Sequence, residues 1–252
     1  MSVNFEELDY QETPLGPVSL RRQRLKMFDD REIHEVKLGD DYLMSSLFTK
    51  VEEELATLSL DALGERFAEP DVVVGGLGLG YTAWTALEHV APRLGSLIVV
   101  DYLQPVIDWH RRGLVPLGPK LTEDARCRFV RGDFFALSAA DSAGYDPEEA
   151  DRRFHAILLD IDHSPAHLLH PRHAEFYSPA GLEAFATRLH PGGVFGLWSD
   201  DPPEERFLAN LRAVFEEVRT EVVTFANPFT HEDSANTVYV CRGREACSPA
   251  RA

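Results

Sequence analysis

The chain has 252 residues, 44% of them hydrophobic, enough for one large α/β domain with a small appendage. Its 25 Lys and Arg face 42 Asp and Glu, and the net charge of -17 opposes nucleic acid and anionic membrane as partners while suiting cationic ligands. The three cysteines, Cys127, Cys241 and Cys247, make neither a disulfide framework nor a paired metal motif, and the acidic start and lack of a long apolar run predict a soluble cytoplasmic protein without a membrane span.

The chain opens with an extended, turn-rich region over residues 1–46. Residues 17–26 and 32–38 read as strands flanking Phe28-Asp29-Asp30, with a second turn at Gly39-Asp40-Asp41, so a small β-hairpin region is expected. Leu47, Val51, Leu55, Leu58 and Leu63 then trace a helical stripe, with Glu52, Glu53 and Glu54 assigned to water. From there strand and helix patterns alternate through 243. Strands are expected at 71–75, 97–101, 127–131, 154–160, 194–199, 221–226 and 237–241. Helices are expected after Tyr81, through 105–112, near 181–190 and over 204–218. That alternation predicts a Rossmann-like, doubly wound, seven-stranded and mostly parallel sheet, whose ligand lies beyond the carboxyl ends of the strands. Residues 139–153 read as an acidic surface loop and 244–252 as a flexible tail.

Four strand ends carry the candidate chemistry. The β-branched run ending in Gly76, Gly78 and Gly80 allows bare backbone to approach a nucleotide at a helix N-terminus; an ordinary strand-to-helix turn is the alternative. Asp101, about 20 residues further on, suits the two hydroxyls of a ribose and equally a helix N-cap. Asp133 suits an adenine amino group, with Phe134 or Phe135 as the ring's wall, or a solvated turn. Asp160 and Asp162 close the fourth strand as two carboxylates over the cleft, able to hold a cationic amine and take its proton. His163, His167, His170 and His173 are closely spaced, but Pro165 and Pro171 break the helix that would align them, so a His-rich lid is expected and no metal. Asp200-Asp201-Pro202-Pro203 reads as a turn ahead of a helix.

The order of these motifs resembles the spermidine synthase (polyamine aminopropyltransferase) family, within the S-adenosylmethionine-dependent methyltransferase-like fold. The likeness runs from the hairpin to Val240. It rests on Val74-Gly-Gly-Leu-Gly-Leu-Gly-Tyr-Thr82, Asp101 with Pro105-Val-Ile107, Asp124-Ala-Arg126 with Arg131-Gly-Asp133, and Glu175-Phe-Tyr177. The resemblance implies S-adenosylmethionine or its decarboxylated form as donor, Asp101 on ribose, Asp133 on adenine, and Asp160 as the base toward an amine acceptor; it also implies a homodimer. Departures fall on the other half of the site. The glycine loop has Gly78 or Leu79 where the family carries an Asp for the donor's amine. The family's Asp-Ser-Ser-Asp-Pro loop is here Asp160-Ile-Asp-His-Ser-Pro165, a polar residue of the fifth strand is Trp198, and a tyrosine gives way to Asn227-Pro-Phe229, read as a turn. His163, Trp198 and Asp200 thus become candidates for the acceptor side. Aminopropyl transfer leads, with methyl transfer and a non-catalytic nucleoside-binding homologue as rivals.

Overall fold

The computed structural model describes residues 5–28, 30–230 and 232–245. Asp29 of the first expected turn, Cys247 and all but the first two residues of the expected tail lie outside these. Strands β1 (Phe5–Gln11), β2 (Val18–Leu25), β3 (Arg31–Leu38) and β4 (Asp41–Ser45) form an antiparallel sheet in sequential order. The expected hairpin is its centre, with Val18 opposite Leu38 and Leu25 opposite Arg31. β1 and β4 extend it beyond the expected pair. β1 lacks an apolar alternation, and its Glu6 and Glu7 face Arg22 and Arg21 of β2, with the Arg22–Glu6 contact at 2.6 Å. It is tied down from a distance by Trp109, whose Nε1 donates to Asp9 at 2.6 Å.

Helix α1 (Lys50–Leu63) leads into the second sheet. That sheet contains β5 (Asp71–Gly75), β6 (Ser96–Asp101), β7 (Cys127–Arg131), β8 (Phe154–Leu159), β9 (Leu189–Ser199), β10 (Glu217–Asn227) and β11 (Glu232–Arg242). Their spatial order is β10-β11-β9-β8-β5-β6-β7. The five strands from β9 to β7 run parallel, β11 is antiparallel to β9, and the edge strand β10 is antiparallel to β11. The seven-stranded doubly wound sheet expected from the alternation is therefore present, and Asn227-Pro-Phe229 makes the hairpin turn, the Asn227 side chain accepting from Phe229 N–H at 3.1 Å.

Side-chain alternation divides the core. Val72 and Val74 of β5 face one apolar cluster with α1, α2 (Tyr81–His89) and α3 (Gln104–Arg111), while Val73 faces the other, which holds Phe134, Phe185, Phe195 and Leu211. The second layer contains α5 (Phe134–Ser138), α6 (Pro179–Ala186) and α7 (Glu205–Val214); α4 (Gly118–Thr122) packs beside α3. Two expected helices are shorter than their apolar patterns, because β9 starts at Leu189 and β10 at Glu217. Residues 139–153 are no free surface loop. Tyr145 is buried and stacked on Phe134 at 5.0 Å, and buried Asp146 accepts from Arg128 at 2.8 Å and Arg152 at 2.7 Å.

Candidate functional site

The parallel strands end on one edge, and the loop after β5 lies directly against the loop after β8. Gly76 N–H donates to Val100 O at 2.9 Å, and Asp160 N–H to Gly75 O at 2.8 Å. A Cβ at Gly76 would lie 2.0 Å from the Asp160 carbonyl oxygen, at a φ of +96°, so only glycine lets the two loops meet. The next glycines serve a neighbouring contact. His110 is buried beneath the loop and bonds Gly78 O through Nε2 at 3.0 Å; burial pulls its pKa down to about 4, so the ring is neutral and Nε2–H is the donor. Gly80, expected to bind cofactor, instead packs on His110 and Leu121 and does not line the cleft, because a tight turn has rotated it into the core.

Gly76, Gly78, Asp101, Asp133, Phe134, Asp160 and His163 all line one chamber of about 160 Å³ at these strand ends. Asp101 accepts from Leu77 N–H at 2.9 Å and Leu103 N–H at 2.7 Å, which fixes its carboxylate between the glycine loop and the start of α3. Burial outweighs those bonds and pushes its pKa up to about 6. Asp101 is not the helix cap, since Leu103 is the N-cap of α3; the bond to Leu103 N–H closes a turn two residues on, and the side chain lines the cleft. Asp133 caps α5 through Oδ1, accepting from Phe135 and Ala136 N–H at 3.1 and 3.3 Å; Oδ2 has Arg172 at 3.9 Å. The Phe134 ring lies against the Gly75 backbone, and Phe135 stacks on His173 with centroids 3.8 Å apart, making a second aromatic wall.

The paired carboxylates separate. Asp160 lines the chamber, accepts from Thr82 Oγ1 at 2.7 Å, and is pushed up to about 6 by burial. Asp162 is not over the cleft. It is 1% exposed and accepts from Leu169 N–H at 2.8 Å, His173 Nδ1 at 2.8 Å and Tyr177 O–H at 3.0 Å. With β8 ended at Leu159, the chain turns and carries Asp162 beneath the His-rich segment, which it holds in place. Tyr177, one of the resemblance's motif residues, is thus part of that anchor. Asp124 and Arg126 also prove structural: they pair at 2.6 Å ahead of β7, at the end of the strand remote from the cleft.

One cleft residue escaped the sequence reading. Glu52, assigned to water, lines the chamber beside Asp160 and also a second chamber of about 620 Å³. The buried face of α1 is wider than its leucine stripe, since Ala56 and Ser59 are buried too, and Ser59 Oγ would lie 2.1 Å from a Cβ at Gly196 of β9. That close docking turns Glu52, one turn ahead of Ala56, into the cleft. Small residues at i+4 and i+7 were the signal. Burial and the charge of Asp160 push Glu52 up to about 8, so the pair holds a proton at neutral pH. Leu43, Met44, Glu52 and Trp198 border both chambers, and the Trp198 indole N–H has no partner among the described residues. Asp200 lines only the second chamber, where it accepts from Asn236 Nδ2. Two of the four histidines serve carboxylates: His167 Nδ1 pairs with Asp201 at 2.8 Å, as His173 does with Asp162, while His170 Nδ1 accepts from Arg172 N–H. Among the described residues no three His, Cys, Asp or Glu side chains converge as a metal site.

No protein-family model matches the sequence, and no curated protein matches it. Solved structures resemble the fold. A probable spermidine synthase from Corynebacterium glutamicum superposes with a TM-score of 0.61 at 13% identity, over 98% of this chain and 82% of that one. A precorrin-6y C5,15-methyltransferase from Geobacter metallireducens gives 0.50 at 13% identity, over 76% of this chain and 88% of that one. These likenesses establish the fold as that of spermidine synthase-like and S-adenosylmethionine methyltransferase-like proteins.

Proposed function

We propose that this chain is a transferase that binds S-adenosylmethionine or its decarboxylated form and passes an alkyl group, aminopropyl in the leading reading, from the sulfonium to an amine. The observation that carries it is the alignment of Asp133, Asp101 and Asp160 along one chamber at successive strand ends, closed by the glycine loop. In that order they suit adenine, ribose and the reacting end of one extended ligand. Likeness to a probable spermidine synthase over nearly the whole chain supports the same reading.

The sulfonium is already a good leaving group, so the protein's task is to align and deprotonate. The acceptor's ammonium gives a proton to Asp160. Its lone pair then forms the N–C bond while the C–S pair passes to sulfur, leaving a neutral thioether and a new ammonium. A carboxyl raised by burial is closer in pKa to the amine than a solvated one, which eases that proton transfer. The net charge of -17 favours arrival of cationic reactants.

Methyl transfer from intact S-adenosylmethionine is the second reading, favoured by the absence of a carboxylate in the glycine loop. Incubating the protein with each donor and a panel of amines, followed by mass spectrometry, separates the two. Methylthioadenosine marks aminopropyl transfer and S-adenosylhomocysteine marks methyl transfer. Binding of both donors with neither product leaves a non-catalytic nucleoside-binding protein.

A further inference from the structure

The second chamber lies between the N-terminal sheet, the start of α1 and the β10–β11 hairpin, and meets the nucleoside side at Leu43, Met44, Glu52 and Trp198. Its walls are rich in apolar side chains, including Leu43, Leu47, Phe48, Phe225 and Phe229; Phe48 packs on Phe225 and Phe229 with centroids 5.7 and 6.2 Å apart. The charged groups around it differ in whether they are already engaged. Glu35 accepts from Gln23 Nε2 at 3.0 Å and has Arg21 and Lys37 nearby. Asp200 holds Asn236, and Lys50 Nζ donates to Thr224 O at 2.8 Å. Glu52 is different. Among the described residues its carboxylate makes no ion pair and no side-chain hydrogen bond, and its acidic neighbours Asp160 and Glu53 repel its charge. A half-buried acid that faces a cavity without a paired cation is stabilised by a ligand that brings one.

We propose that this second chamber seats the acceptor, and that the acceptor is a monoamine with an apolar, aromatic-sized body whose ammonium is held by Glu52 at the junction of the two chambers. The proposal rests on the alkyl-transfer reading and narrows its substrate class. An elongated polyamine would carry a second ammonium outward along the chamber. There it would meet Lys50 and carboxylates that already have partners, whereas an aromatic body would meet Phe48, Phe225 and Phe229. From Glu52 the nitrogen faces the Asp160 side of the cleft, where the donor's reacting carbon would lie under that reading.

Calorimetry with 4-phenylbutylamine and 1,4-diaminobutane, on the free protein and on protein saturated with methylthioadenosine, tests it. The expected result is at least tenfold tighter binding of the phenyl compound. Glu52→Gln should weaken that binding about tenfold or more, as for loss of a charge-assisted hydrogen bond, with methylthioadenosine affinity kept within about twofold. Phe229→Ala, at a half-exposed position that tolerates truncation, should weaken the phenylbutylamine several-fold and leave diaminobutane unmoved. Tighter binding of diaminobutane, or phenylbutylamine affinity unchanged in Glu52→Gln, overturns the proposal. The free-protein arm keeps the two readings apart: if methylthioadenosine fails to bind while the amine results hold, the nucleoside assignment falls and the chamber assignment stands.

Discussion

The nucleoside side of the cleft is made of strand ends and the residues immediately after them, whereas the acceptor side is assembled from α1, the N-terminal sheet and the β10–β11 hairpin. On the first side, the polar groups are held by strand-end loops and helix starts: Asp101 by Leu77 and Leu103 N–H, Asp133 by the start of α5, and Asp160 by the Thr82 hydroxyl of α2. On the second, the decisive side chain, Glu52, is presented by a helix whose rotation depends on contacts with β9 and β11. A site built from local turns tolerates little change in its own residues but is insensitive to the rest of the chain. A site built from three distant segments can change its ligand while the fold stays.

The largest effect should come from the nucleoside side. Gly76→Ala forces a Cβ into the Asp160 carbonyl at a left-handed φ and should cost about 3 kcal/mol or more of stability in urea unfolding. A loss below about 1 kcal/mol would mean that the two loops are not locked together. Next, Asp101→Ala should weaken methylthioadenosine binding about 100-fold by calorimetry, since it removes the proposed ribose acceptor and leaves two backbone N–H groups without their partner. Unchanged affinity would sink that role. Asp160→Asn should keep methylthioadenosine affinity within a few-fold and reduce turnover about 100-fold with whichever donor proves active. Loss of binding instead of turnover would make Asp160 a donor-binding group.

The acceptor side should show a smaller effect in stability against pH. The folded-state pKa of Glu52 is raised above its ordinary 4.5 to about 8. Its contribution is therefore fully present below pH 4.5 and is lost as pH rises through about 8. Glu52→Gln should flatten that fall and leave the variant more stable than the parent at pH 9 by roughly 1–2 kcal/mol, read from urea midpoints across pH. An equal pH profile in both proteins would mean that Glu52 is solvated. Phe229→Ala should move stability by less than about 0.5 kcal/mol, because its ring is half exposed at a hairpin turn.

The amino-acid sequence alone determined the sheet, its glycine loop and the strand-end positions of Asp101, Asp133 and Asp160. Those features are written in β-branched runs, in glycines at fixed spacing and in acids placed at the end of a strand or within two residues of it. It also marked where the chain departs from the family it resembles, at Gly78 for the donor's amine and at Trp198 and Asn227 on the acceptor side. What it did not carry was direction. Asp162 lies two residues from Asp160 yet points into a buried network, because the strand has ended and the intervening turn sets its orientation. Glu52 is one of three successive glutamates and alone enters the cleft, because Ala56 and Ser59 let α1 approach the sheet closely on that flank. Tertiary structure decided both: the orientation of an isolated polar side chain is set by packing between distant segments, of which the chain itself shows at most the small residues, such as Ala56 and Ser59, that permit the approach.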